Sequence, residues 1–156
     1  MKLADGSFLI NPEDKPWLPL GEPGNFMKIL HIDEADRQVV FLQRFAKNTT
    51  HPKHTHHCTA VAFTLRGEWA YDGTPFPLGA VAFEPYGSTH TPMTLDDNDA
   101  DVLVILTSRD ERFITAHISE TEDVELDMAM FKSLAAMTPE EAAALQKQNA
   151  GPPEAA

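Results

Sequence analysis

Short apolar segments alternate with turn-forming residues along most of the chain. They recur at intervals of about ten residues, the spacing expected of strands in an antiparallel β-sandwich or barrel. Turn-forming stretches such as Asp33–Asp36, Asp72–Pro75 and Asp96–Asp99 separate them. The pattern therefore predicts an all-β fold with strands at Phe26–Ile32, Val39–Phe45, Cys58–Leu65, Trp69–Tyr71, Ala80–Phe83, Val102–Thr107 and Phe113–Ile118.

The pattern changes near Leu126, where alanine, methionine and leucine become frequent. The segments DMAMFKSLAAM and TPEEAAALQKQN predict two short helices. Thr138-Pro139-Glu140-Glu141 is a capping-box sequence with proline at the first helical position, so the second helix is expected to start there. The acidic run Glu120–Asp127 is expected to be a solvated link into the helices.

The N-terminal segment is rich in proline and glycine, which predicts an extended arm rather than a helix. A chain of 156 residues is long enough for one domain with a substantial core. The predicted organisation is an extended arm at 1–25, a β-barrel at 26–125, helices at 126–150 that pack on the barrel or a dimer seam, and a frayed tail at 151–156.

Composition and charge exclude several classes of function. The net charge of −12 disfavours binding to a phosphate backbone or an anionic membrane surface. The single cysteine, Cys58, cannot form an internal disulfide, and the N-terminus lacks the pattern of a signal peptide. No stretch approaches the ~20 apolar residues of a membrane helix. These features favour a cytoplasmic enzyme or binding module with no nucleic-acid or membrane partner.

Four of the seven histidines lie within the short segment HPKHTHH. Residues i and i+2 of a strand lie on one face about 7 Å apart, so His54 and His56 can converge on one metal ion at ~2.0–2.2 Å. A third ligand is expected from His90, which follows a proline-glycine turn in GAVAFEPYGSTH. His51 and His57 are expected at the surface. The spacing leaves open whether His51, His57 or Cys58 contributes to the site.

Two stretches of the chain resemble the motifs of the cupin superfamily. HTHHCTAVAFTLRG matches the first motif at His54, His56 and Gly67, and GAVAFEPYGSTH matches the second at Gly79, Pro85, Gly87 and His90. The resemblance covers about residues 39–107 and implies a cupin, an RmlC-like jelly-roll barrel. The arm and the C-terminal helices lie outside it.

The chain departs from the first motif where the family carries a glutamate ligand, since Ala60 stands there. The resemblance therefore implies a ligand set of three neutral imidazoles with no carboxylate beside them, which favours an anionic bidentate substrate. Cys58, Ala60 and Ala62 follow His56 with the same inward parity, and their small side chains would leave room for that substrate. Tyr86 is a further candidate for the pocket, and Thr59, Val61, Phe63 and Leu65 on the opposite face are expected to be packing residues.

A three-histidine site resembles those of the β-diketone-cleaving (acetylacetone) dioxygenases, and the flanking residues resemble ChrR-type cupins such as 2,4'-dihydroxyacetophenone dioxygenase. The resemblance implies Fe(II), with Zn, Mn or Ni as alternatives, a small-molecule substrate with O₂, and a homodimer. Glu84 stands six residues before His90, where the β-diketone enzymes carry a catalytic supporting glutamate. The structural alternative for Glu84 is a solvated side chain or an ion pair with Arg44 or Arg66.

Three hypotheses of function follow. The first is a non-haem Fe(II) dioxygenase that cleaves a carbon–carbon bond of a β-dicarbonyl or hydroxyketone through its enolate. The second is a non-redox metal cupin acting as an isomerase, lyase or hydrolase, because three imidazoles suit several metals. The third is a non-catalytic ligand-binding or sensory cupin whose metal only stabilises the barrel mouth.

Overall fold

The computed structural model describes residues 2–21, 23–94 and 97–149, and β-strands dominate it, which confirms the all-β class. A 3₁₀ turn at Pro12–Asp14 precedes the first strand, and the helices are α1, Met128–Ala135, and α2, Pro139–Asn149. The strands are β1 Leu18–Pro19, β2 Phe26–Asp33, β3 Gln38–Phe45, β4 Lys53–His56, β5 Cys58–Arg66, β6 Glu68–Tyr71, β7 Thr74–Pro77, β8 Val81–Glu84, β9 Thr89–His90, β10 Ala100–Ser108, β11 Arg112–His117 and β12 Asp123–Asp127.

Two antiparallel sheets form a jelly-roll-like sandwich. The larger has the strand order β1-β2-β3-β10-β5-β8, and the smaller has the order β12-β11-β4-β9. Strands β6 and β7 form a separate two-stranded sheet. Because β4 and β5 belong to different sheets and only His57 separates them, the chain crosses from one sheet to the other immediately after His56.

Strand β3 shows how the sequence pattern produces the sandwich. Its residues alternate between partly exposed and buried positions, and Val39, Phe41, Gln43 and Phe45 form the buried row. A strand with this alternation covers the core with one face and leaves the other toward solvent. Three members of the inward row are apolar, and Gln43 is the exception.

The main core lies between the sheets and is closed by the first helix. Phe131 of α1 is fully buried and lies 6.0 Å from Phe41 and 5.5 Å from Phe113, measured between ring centroids. Burying an aromatic side chain of this size contributes on the order of 2–3 kcal/mol. Helix α1 is therefore part of the barrel core rather than an appendage.

The helix starts follow from their caps. The hydroxyl oxygen of Thr138 accepts from the backbone amide of Glu141 at 3.2 Å, and the Thr138 amide donates to the Glu141 carboxylate at 2.8 Å. This reciprocal pair confirms the predicted capping box. Helix α1 starts two residues after Leu126 because the Asp127 carboxylate accepts from the Met130 amide at 2.8 Å.

The prediction that Glu120–Asp127 is a solvated link was wrong for its second half. Asp123–Asp127 forms strand β12, which pairs antiparallel with β11 at the edge of the smaller sheet. Its acidic residues alternate with Val124 and Leu126, so the strand has an apolar face that its net charge concealed. No helix in the described part of the chain is long and apolar enough to cross a bilayer. The expected frayed tail at 151–156 lies outside the described residues.

Candidate metal centre

The third histidine of the cluster is delivered by backbone pairing. Strands β4 and β9 are antiparallel neighbours in which His54 pairs with His90. The turn before β9 is fastened to β4, because the His56 amide donates to the Ser88 carbonyl at 2.9 Å and the Gly87 amide donates to the His56 carbonyl at 2.8 Å. Gly87 has a φ of +85°, a conformation that favours glycine in such a turn.

The three imidazoles converge through the same ring nitrogen. The Nε2 atoms of His54 and His56 are 3.1 Å apart, and those of His56 and His90 are 3.3 Å apart. Two nitrogens bound to one ion at ~2.1 Å, at angles between about 90° and 109°, are about 3.0–3.4 Å from each other. The cluster of His54, His56 and His90 therefore fits a single metal ion.

Surrounding groups orient the rings. The Nδ1 atom of His54 lies 3.3 Å from the Pro52 carbonyl oxygen, which favours the proton on Nδ1 and a free lone pair on Nε2. Tyr71 stacks on His90 with centroids 4.2 Å apart and planes 8° apart. Burial lowers the pKa of His54 and of His90 to about 4 and that of His56 to about 3. Neutral imidazoles are the form that binds a metal.

The carboxylate of Glu84, the residue that the resemblance marked as a supporting glutamate, lies beside two of these rings. One Glu84 oxygen is 3.4 Å from Nε2 of His56, and the other is 3.4 Å from Nε2 of His90. Burial raises the pKa of Glu84 to about 7, and a hydrogen bond from Tyr71 partly opposes the shift. Reading along a single strand could not reveal this contact, because Glu84 belongs to β8, in the other sheet from β4 and β9.

The alternative in which Glu84 pairs with Arg44 or Arg66 was wrong. Arg44 and Arg66 both bind Asp101, at 2.7 and 2.9 Å. Among the described residues, the ionisable groups in contact with the Glu84 carboxylate include the neutral imidazoles of His56 and His90 and the Tyr71 hydroxyl. The carboxylate is thus buried without a lysine or arginine partner there.

A cavity of about 400 Å³ adjoins the histidine cluster. Most of its wall is apolar, and its ionisable or amide-bearing side chains are the three clustered histidines with Glu84, Gln43 and His51. A concave, largely apolar space with a few convergent polar groups is typical of a small-molecule site. The apolar wall includes Phe41, Phe45, Val102, Val104, Leu106, Ile114, Val124, Leu126, Met130 and Leu134.

The structure brings only part of the predicted pocket to this cavity. Ala62 lines it. Cys58 and Ala60 are instead fully buried in the main core, where the Cys58 thiol donates to the Phe113 carbonyl at 3.3 Å. Tyr86 is half exposed on the outside, 5.6 Å from the Arg109 guanidinium, because it sits at the tip of the turn before β9. Cys58 and Ala60 therefore point inward as predicted, but they pack in the main core and do not line the cavity.

The two remaining histidines of the segment differ from each other. His51 is not a surface residue as expected, since it lines the cavity, and its Nε2 lies 3.0 Å from the Asn25 side-chain oxygen. His57 points away from the cluster, and its Nε2 lies 2.7 Å from the Thr115 hydroxyl. Neither belongs to the converging group of nitrogens.

Tyr71 and Gln43 are candidate functional residues that sequence reasoning missed. Tyr71 lies on β6, outside both motifs, and its stacking on His90 depends on how the small sheet packs, for which the sequence carries no local signal. Gln43 did carry a signal, because it is a polar residue at an inward position of an alternating strand. Such a position predicts either a hydrogen-bonded core amide or a group facing a cavity.

Fold and site together define a cupin-fold protein with a candidate three-histidine metal centre. The family model of the ChrR cupin-like domain matches residues 5–108, and the chain belongs to this family. No curated protein matches the chain.

Solved structures with the same fold include an RmlC-like cupin from Ralstonia eutropha JMP134, with 18% identity, a TM-score of 0.72, and coverage of 83% of this chain and 84% of that one. An acetylacetone dioxygenase from Acinetobacter johnsonii is 11% identical with a TM-score of 0.68, covering 86% and 93%. The anti-sigma ChrR, in complex with SigE from Rhodobacter sphaeroides, is 23% identical with a TM-score of 0.54, covering 62% and 51%. At these sequence identities, the similarity between this chain and the three structures is a similarity of fold alone.

Proposed function

We propose that this protein is a non-haem Fe(II) dioxygenase that cleaves a carbon–carbon bond of a small β-dicarbonyl or hydroxyketone. The observation that carries the proposal is the convergence of three neutral imidazoles, two of them buried, beside a largely apolar cavity of about 400 Å³. The similarity in fold to an acetylacetone dioxygenase supports it. A cavity of this volume suits a small molecule, for which sites of roughly 300–1,000 Å³ are usual.

The roles of the residues follow from their chemistry. His54, His56 and His90 would hold the ion through Nε2. Bound iron(II) would supply a Lewis acid and a redox centre for reaction with dioxygen. Glu84 would accept the proton from the carbon between the two substrate oxygens, which converts the substrate to its enolate. The apolar wall would bind the rest of the substrate and keep water away from the reacting carbon.

We also propose a homodimer formed through the outer face of β5 and β8. Phe83 and Val81 of β8 are 67% and 60% exposed, and they pair across the strands with Val61 and Phe63. These outward residues of β5 were expected to be packing residues, and a second copy of the chain would bury the apolar surface that they form with β8. Because β8 is the edge strand of the larger sheet, a second copy could cover this face without disturbing the cavity.

Oxygen uptake by the iron-loaded protein tests the proposed reaction. We expect uptake across a panel of β-diketones and hydroxyketones that is lost in His90→Ala and retained in His57→Ala, the matched control whose ring points away from the cluster. Turnover that continues without oxygen would instead identify a non-redox metal enzyme. Stoichiometric metal with no turnover of any panel member would identify a binding or sensory cupin.

A further inference from the structure

We propose that His51 determines specificity in the cavity by accepting a hydrogen bond, through Nδ1, from a ligand hydroxyl remote from the metal-chelating oxygens. This role rests on the cavity and the metal centre of the proposed function but not on its oxygen chemistry. It adds to the proposed substrate a hydrogen-bond donor at the end opposite the chelating group.

The Asn25 side chain fixes the tautomer of His51. Its oxygen accepts from the Ala46 backbone amide at 2.7 Å, so the atom that faces this amide is the oxygen and not the nitrogen of the side chain. The same oxygen lies 3.0 Å from Nε2 of His51. An amide oxygen has no proton to give, so Nε2 carries the proton and donates it. In the neutral ring the lone pair is therefore on Nδ1.

The His51 ring is neutral and held in place. Burial lowers the pKa of His51 to about 4, and the neighbouring His54 adds to the shift. The ring packs edge-on against Phe45, with centroids 4.4 Å apart and planes at 86°. The His51 backbone amide donates to the Pro92 carbonyl at 2.8 Å. Main chain and ring are both fixed, as a group that selects a ligand requires.

Nδ1 is the ring nitrogen that remains for a ligand. His51 lines the cavity, and within the described residues no hydrogen bond is made by its Nδ1. Trp69 also lines the cavity, but its indole N–H donates to the Thr64 hydroxyl at 2.9 Å. An acceptor in an apolar wall loses its water when a ligand enters, and the loss is costly unless the ligand supplies a donor.

The position of His51 sets where the ligand carries its donor. His51 precedes His54 by three residues, and both face the same cavity. An extended chain advances about 3.3 Å per residue, so their Cα atoms are up to about 10 Å apart. Phe45 and Pro92, which contact His51, contribute apolar wall at this end. The matching ligand has a chelating group at the metal, an apolar body and a hydroxyl several bonds away.

Calorimetric titration of the Zn(II)-loaded, full-length protein tests this role without any variant. The ligands are β-diketones with a terminal hydroxyl on alkyl chains of increasing length, each compared with its methyl ether and with the parent that lacks the oxygen. At least one hydroxyl ligand should bind about tenfold more tightly than its parent, the gain expected for one hydrogen bond. Its methyl ether should gain nothing, because an ether has no proton to donate.

Two outcomes of this titration would overturn the proposal. One is a series in which no hydroxyl improves the affinity. The other is a methyl ether that gains as much as its hydroxyl, which would show that the wall donates at this position instead of accepting.

His51→Phe assigns the preference to the residue. The substitution keeps a flat ring and removes both nitrogens, and the Asn25 oxygen keeps the Ala46 amide as its donor. The preference for the hydroxyl ligand should disappear, whereas zinc content and affinity for the parent diketone should stay. His57→Phe, the same change in a ring that contacts Thr115 instead, is the matched control and should keep the preference. A folded, zinc-loaded His51→Phe that still prefers the hydroxyl would exclude His51 as the acceptor.

The role of His51 and the proposed reaction can fail separately. A hydroxyl preference that depends on His51, in a protein that never consumes oxygen, would sustain the ligand class and reject the dioxygenase. Iron-dependent oxygen uptake in a protein that binds the hydroxyl ligands and their parents equally would do the reverse.

Discussion

His54 and His90 are directly paired on adjacent antiparallel strands, although a long stretch of sequence separates them. The third imidazole is therefore positioned by main-chain hydrogen bonding rather than by a free loop. His56 is fixed in the same way, because its amide and carbonyl are both bonded to the turn before His90. A site held by backbone register is preorganised, so removal of one ring should affect metal binding without rearranging the other two.

This arrangement predicts the metal content of single variants. His54→Ala, His56→Ala and His90→Ala should each lose stoichiometric metal, because each removes one of the three converging nitrogens. His57→Ala should retain it, since the His57 ring contacts Thr115 on the other side of the strand. Metal analysis of freshly purified proteins checks the prediction. Full metal content in all three cluster variants would show that other side chains form the centre.

The sequence was informative wherever a feature depends on neighbouring positions. The i, i+2 relation of His54 and His56 and the turn before His90 could be predicted, as could the capping box at Thr138. The place of Glu84 beside the site came only from the resemblance, because its contacts depend on which residues of other strands face it. A one-residue change of register would turn its side chain to the other side of the sheet.

The same limit explains the errors in the predicted pocket. Cys58, Ala60 and Ala62 share the inward face of β5, but only Ala62 of the three lines the cavity, whereas Cys58 and Ala60 pack in the main core. Alternation predicts the face of the sheet and not how far along the strand the cavity lies. Strand β12 was missed because acidic residues dominate its composition, although Val124 and Leu126 alternate with them. Charge indicates exposure of a residue and does not exclude a strand with one buried face.

Gln43 is expected to contribute to ligand binding rather than to stability. Its side chain is buried in the cavity wall, and within the described residues its amide nitrogen makes a long 3.5 Å contact with the Arg44 carbonyl oxygen. Gln43→Met keeps the volume and removes the amide. We expect the free energy of unfolding to change by less than about 1 kcal/mol, because little hydrogen bonding is lost.

Affinity for a chelating ligand should fall about tenfold in Gln43→Met, the loss expected for one hydrogen bond to the ligand. Calorimetric titration of the zinc-loaded protein with acetylacetone and with a phenyl-substituted β-diketone measures it. Phe41→Leu, which alters an apolar part of the cavity wall, serves as the control. This variant should change the relative affinities for the smaller and the larger ligand instead of weakening both. Unchanged affinity together with a large loss of stability would show that Gln43 is structural.

Asp101 is expected to stabilise the larger sheet at neutral pH and to lose this effect in acid. It pairs with Arg44 on β3 and with Arg66 on β5, so it connects three adjacent strands. Burial acts to raise the pKa of Asp101, but the hydrogen bonds and charges of the two arginines outweigh it and hold the pKa below its usual value. A carboxyl whose pKa is lower in the folded state stabilises that state above its unfolded pKa of about 3.9.

Asp101→Asn should therefore lower the free energy of unfolding by roughly 1–2 kcal/mol at pH 7, since charged hydrogen bonds are lost at a partly exposed site. The difference from wild type should shrink as the pH falls through the folded pKa, below about 4, because the wild-type carboxylate becomes protonated. Denaturant unfolding at pH 7 and pH 3 measures both quantities. Asp36→Asn, in an exposed turn, is the control, and an equal difference at both pH values would refute the linkage.

The outer face of β5 and β8 should hold two copies of the chain together. Val61, Phe63, Val81 and Phe83 form two directly opposed pairs on this face, and Leu65 extends the apolar surface along β5. Monomers rarely expose large contiguous apolar patches, so an apolar surface on adjacent strands is a candidate interface. In a two-fold symmetric interface each copy contributes the same residues, so an introduced charge is present twice and its effect is doubled.

Phe83→Glu should consequently shift the protein from dimer to monomer while leaving metal content unchanged, because Phe83 faces away from the cavity. Sedimentation velocity over a range of protein concentrations measures the mass. Leu3→Glu adds the same charge at an exposed apolar residue of the N-terminal arm and should remain dimeric. A wild-type protein that is monomeric at every concentration, or a Phe83→Glu variant with the wild-type mass, would mean that this face does not join two copies.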